Sequence, residues 1–173
     1  MNTVNGLPAH VLLVHGVVVL LPMASFLLVL TAVWPPARAR FAGPNAILSV
    51  ATLALVPITT NAGQWLYGRL PHTDLLRRHS ELGDTALYAA TPVAVLALVV
   101  WWRHREAGQA AGSARTARRS FLAPENQVVT WVIVALAVLV AGSAVYDTYQ
   151  IGDSGAKATW NGIITSAPAP GGN

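Results

Sequence analysis

GQWLYGRLPHTDLLRRHSELGD, residues Gly63–Asp84, is the polar stretch on which the reading of the whole chain turns. It holds His72 and His79 of the five histidines, Asp74, Glu81 and Asp84 of the seven acids, and Arg69, Arg77 and Arg78. Apolar runs lie on both sides of it. Phe41–Gly68 carries no charged side chain, and neither does Thr85–Trp102. A helix needs about 20 apolar residues to cross a bilayer, and each flank supplies about that length. The stretch therefore reads as a polar connection between two membrane spans.

The same signal recurs towards both ends. No charged residue occurs from Met1 to Ala37, and Val128–Tyr146 is again uncharged. The spans are placed at about residues 8–34, 45–66, 84–102 and 128–147. They make residues 1–151 one all-α, integral membrane four-helix bundle, followed by an external tail, 152–173, disordered at its Pro- and Gly-rich end. Asn5 is a candidate cap for the first helix, with Pro8 in its first turn. Pro35-Pro36 closes the first span, and 37–44 reads as a short loop. Thr73 caps a short helix, 74–82, before the third span, and 103–127 reads as a Gly/Ala/Arg-rich loop. Pro22, Pro57 and Pro92 fall inside spans, where neighbouring helices can satisfy the freed carbonyls. A cleaved signal peptide is the rival reading of the start. The absence of Lys or Arg before the apolar run, and a run beyond the usual ~7–15 residues, argue for a span instead.

Composition agrees. Of 173 residues 54% are hydrophobic and only 10% charged, against about 25% charged in soluble domains. Cysteine is absent, which excludes disulfides, thiolate metal sites and cysteine nucleophiles. The net charge of +4 does not imply a nucleic-acid partner, because the basic residues flank apolar runs and no recognition motif accompanies them. The lipid bilayer is the partner the composition implies.

Counting about 20 residues from each inner boundary brings polar groups of all four spans to one level. His15 lies there on the first span, with His10 about a turn and a half beyond. Asn61 and Gln64 lie there on the second. His79 and Asp84 precede the third, and Tyr146, Asp147 and Gln150 end the fourth. His10 and His15 are about 140° apart around a helix, so they cannot both face one ligand. Polar groups at membrane depth mark function, although each span end also meets water. Three functions fit this layer. One is a b-type haem with His15 and His79 as axial ligands, His10 replacing His15, and Arg77 or Arg78 meeting the propionates. Another is a divalent metal held by His10, His79, Asp84 and Asp147. The third is a hydrogen-bonded seam in an accessory component whose partner is another membrane protein or a respiratory complex. No paired-carboxylate or nucleophile motif points to an enzyme.

LPAHVLLVHG, NAGQWLYGRLPHTDLLRRHSELGDTALY and VYDTYQIGDSGAKATW, taken together and in this order, resemble the bacterial membrane family called domain of unknown function 2231. The resemblance implies a bacterial plasma-membrane protein with four spans, external termini and a histidine early in spans one and three. Here those are His10 or His15, and His79. Gln64 stands where the family commonly has an acid, and Asp153 where it has a histidine. A fainter likeness to four-helix haem cytochromes is one of fold alone.

Orientation follows from the basic residues. Arg38, Arg40, Arg103, Arg105, Arg115, Arg118 and Arg119 lie on one side, against Arg69, Arg77, Arg78 and Lys157 on the other. The richer side is cytoplasmic, which puts both termini and Gly63–Asp84 outside. A topology reporter fused after Gly112 is expected to read cytoplasmic, and one fused after Asn173 external. Both reading on one side would overturn the four-span arrangement.

Overall fold

The computed structural model describes residues 3–4, 6–112 and 126–160. A two-residue ribbon, β1 (Thr3–Val4) against β2 (Leu7–Pro8), turns at Gly6, whose φ of 81° suits glycine. Four helices follow: α1 (Ala9–Val33), α2 (Pro35–Tyr67), α3 (Asp74–Gly112) and α4 (Gln127–Trp160). All four are long and apolar enough to cross a membrane. They pack in a ring, α1 on α2, α2 on α3, α3 on α4 and α4 back on α1, with a thinner α1–α3 contact across the middle. This is the four-helix membrane bundle that the apolar runs predict.

The helices outrun the spans, and the loops shrink accordingly. The expected loop at 37–44 is helical, because α2 begins at Pro35, one residue after α1 ends. Proline is favourable in a helix's first turn, where no N–H partner is lost, and it pushes the preceding residue to an extended conformation. Trp34 has that conformation, φ −110° and ψ 111°. Arg38 folds back over the joint and donates to the Thr31 and Ala32 carbonyls at the end of α1. The expected short helix 74–82 and the third span are one continuous helix, which runs through Gly83 without interruption. Thr73 caps it as expected, its hydroxyl accepting from the Leu76 N–H at 3.2 Å. α3 also runs on to Gly112, into the expected loop 103–127, of which residues 113–125 lie outside the described residues. α4 runs on to Trp160 rather than stopping near residue 147. Residues 161–173, the end of the expected tail, and Asn5, the expected cap, lie outside the described residues. Pro8 stands at the N-cap position of α1.

The core is built mainly from small residues. Ala24, Ala90, Ala94, Ala137 and Ala144 are buried around Leu21, Leu28, Val56 and Val93. Lipid gives apolar side chains no reason to leave it for another helix, so association relies on close packing and interhelical hydrogen bonds. Alanine allows the first. Asn45 supplies the second: oriented to satisfy both ends of its amide, it donates to the Ala24 carbonyl and accepts from the Leu28 N–H, each at 3.2 Å. Buried Thr31, Thr52, Thr59 and Thr148 satisfy their hydroxyls on carbonyls of the preceding turn. Phe26, Ile47, Trp131 and Leu139 point outward, towards lipid. Replacing Asn45 with Leu keeps the volume and removes the amide. The variant is expected to lose about 0.6–1.7 kcal/mol, measured by unfolding in detergent or bicelles. An unchanged midpoint would show that the amide does not join α1 to α2.

Candidate functional site

The polar groups that converge lie at the end of the bundle where α1 begins and α2 ends. His10 stands in the first turn of α1. Its Nδ1 lies 3.0 Å from the Thr59 carbonyl of α2. A carbonyl can only accept, so Nδ1 carries the proton. His79, early in α3, places Nδ1 3.0 Å from the Ser154 hydroxyl of α4. Ser154 already donates its one proton to the Ile151 carbonyl at 2.9 Å, so His79 Nδ1 is again the donor. In a neutral imidazole the other nitrogen is then an acceptor. No hydrogen bond reaches either Nε2 among the described residues. The two rings lie 6.3 Å apart, centre to centre, at an angle of 70°.

Two glycines make room for this pair. A Cβ at Gly63 would stand 3.0 Å from His10 Cε1 and Nδ1, and one at Gly155 would stand 2.9 Å from His79 Cε1. Each histidine thus rests in a notch on the neighbouring helix. His10 and His79 line one cavity of about 50 Å³, whose other walls include Val14, Val17, Val18, Leu21, Val56 and Ile151. It holds no carboxylate.

The remaining expected residues lie elsewhere. His15 is exposed on α1 and bonds the Val11 carbonyl of its own helix, so it does not meet His79. That follows the angular argument that only one of His10 and His15 can face inward. Asp84 is exposed on α3. Asp147 accepts from Thr85 at 2.6 Å through one oxygen, while its second oxygen is buried with no partner. Among the described residues no group of three or more His, Cys, Asp or Glu side chains gathers to hold a metal, so His10, His79, Asp84 and Asp147 are not brought together as one ligand set. Arg77 is exposed between Asp74, at 3.7 Å, and Glu81, at 3.6 Å. Arg78 lines a separate cleft with Gln150, Asp153 and Lys157. Neither guanidinium lines the cavity. His72 precedes α3 and stacks on Tyr67, and Gln64 donates to Ser80 across α2 and α3.

Thr59, Gly63, Ser154 and Gly155 are the site residues that sequence reasoning missed. Glycine inside a helix costs about 1 kcal/mol relative to alanine, so Gly63 and Gly155 were signals of a close approach once their helices were known to extend that far.

A family model described as a predicted membrane protein, DUF2231, matches residues 6–168. The chain belongs to that family. No curated protein and no solved structure matches it. The match covers every residue of the DUF2231 chain's histidine pair, its acceptors and its glycine notches.

The notches yield a paired test. At Gly152 an added Cβ meets nothing within 4 Å, so Gly152→Ala is expected to stabilise α4 by about 0.5–1 kcal/mol. Gly155→Ala, one turn on, is expected to lose about 1–3 kcal/mol from overpacking against His79. Thermal unfolding of both variants checks this. Equal gains from the two would mean that His79 does not occupy the notch.

Proposed function

We propose that this protein is a ligand-binding component of the bacterial plasma membrane and that His10 and His79 hold its ligand, a small metal-centred group, between them. The observation that carries this reading is the pair of Nδ1 anchors. A metal-ligating histidine characteristically donates its second ring N–H to a carbonyl or another fixed acceptor, which orients the ring and sets the tautomer. Both rings are held in this way, and no hydrogen bond among the described residues occupies either Nε2, while both histidines line the same cavity. The same two bonds also join α1 to α2 and α3 to α4, as in a hydrogen-bonded seam; a ligand is what would in addition occupy the second nitrogen of each ring. The basic-residue count supports an outward-facing site. In an accessory role the partner would be another membrane protein or a respiratory complex that receives or uses the ligand.

The b-type haem reading keeps one point of support, since two axial imidazoles on facing helices suffice for haem iron. The cavity of about 50 Å³ is small against the ~300–1,000 Å³ of pockets for larger ligands. Haem would require α1 and α3 to part.

The test is a thermal-shift panel on detergent-purified protein with haem, Zn(II), Ni(II) and Cu(I). At least one ligand is expected to raise the wild-type midpoint. His10→Ala and His79→Ala should each abolish that rise, and His15→Ala should keep it. No shift with any ligand, or a shift that survives both changes, would overturn the reading.

A further inference from the structure

We infer that the ion is monovalent and two-coordinate, of the kind represented by Cu(I), bridging His10 and His79. This inference rests on the reading of the pair as a ligand site and deepens it.

Ligand number is the first argument. Zn(II) in proteins takes four ligands, or three with a water, and divalent calcium and magnesium need oxygen shells. Here two imidazoles meet at the cavity, and among the described residues no third His, Cys, Asp or Glu joins them. A filled-shell monovalent ion such as Cu(I) accepts two nitrogen donors in line, and imidazole is a suitable donor for copper.

Charge is the second. The cost of moving an ion out of water grows with the square of its charge, so a divalent ion costs about four times as much as a monovalent one of equal size. Val14, Val17, Leu21 and Val56 offer nothing to offset it, Thr59, Thr60 and Thr148 bring only uncharged hydroxyls, and no carboxylate lines the cavity. Two neutral imidazoles add no charge of their own. A single positive charge is what such walls tolerate best.

Spacing is the third. Two metal–nitrogen bonds of about 2 Å, with roughly 1 Å from each nitrogen to its ring centre, put the ring centres about 6 Å apart when both Nε2 atoms are turned to the ion. The observed separation is 6.3 Å. The rings are also fixed in advance, each between an Nδ1 acceptor and a glycine notch, so little conformational freedom remains to be lost on binding. Ser154 is a positioning residue here, acting through His79.

The test is equilibrium competition between the full chain in detergent and a chromophoric Cu(I) chelator, under reductant, with Zn(II) and a zinc chelator in parallel. One equivalent of Cu(I) is expected to transfer to the wild type and no Zn(II). His10→Ala and His79→Ala should abolish the transfer, and His15→Ala should leave it intact. Ser154→Ala, which removes the acceptor of His79 together with the hydroxyl's own bond to the Ile151 carbonyl, should weaken Cu(I) binding by about 10–100-fold without loss of the folded, monodisperse protein. X-ray absorption of the copper-loaded wild type needs no variant, and a two-nitrogen shell is expected. Failure to compete for Cu(I), transfer that survives loss of either histidine, or a four-ligand shell would each overturn the inference. Should Zn(II) or haem bind instead, and depend on His10 and His79, the choice of ion falls and the ligand site stands. Should nothing bind, both fall.

Discussion

The approach of four helices over alanine sets every other distance in this bundle. Ala24 on α1, Ala90 and Ala94 on α3, and Ala137 and Ala144 on α4 are nearly inaccessible. In lipid the gain from clustering apolar side chains largely disappears, and contact between backbones takes over. Small side chains at the centre let α1 and α3 meet across the ring as well as along its edges. The separation of His10 and His79 is a consequence of that diagonal contact, because the two histidines sit on those helices. Bulkier core residues would spread the pair without touching either ring.

Much of the architecture was legible because lipid imposes a coarse rule. Every backbone group in the hydrocarbon must be paired within the protein, so a long uncharged run is a helix. Helix ends were less legible. Pro35-Pro36 reads as a stop and is also a start. The polar turn around Glu81–Thr85 reads as a break in hydropathy but offers no Pro or N-cap geometry to break a helix. α4 passes through Gly152 and Gly155, residues that sequence reasoning treats as terminators, since packing against α3 outweighs their propensity.

The candidate site was half legible. Counting depth brought His10, His79 and Asp147 to one level, and the 140° rule separated His10 from His15. Which of those two faces inward depends on the rotation of α1 about its axis. An almost uniformly apolar helix conceals that rotation, because lipid-facing and core-facing positions look alike. The acceptors were hidden for another reason. Thr59 contributes a backbone carbonyl, which every residue possesses, and Ser154 is one hydroxyl among many. Only a helical glycine beside each, Gly63 and Gly155, marks the place where a ring is received.

The joint at Trp34 bears on how such a site comes into being. With a single residue between α1 and α2, and Arg38 tied back across the turn, the first two helices form a hairpin of local contacts. That hairpin already contains His10 together with its acceptor Thr59 and its notch Gly63. The second hairpin, α3 with α4, contains His79, Ser154 and Gly155. The chain is therefore two hairpins, each holding the anchor of one imidazole within itself, and the pair exists only where the two pack together. Whatever loosens that docking opens the gap between the rings while leaving each ring's own anchor undisturbed.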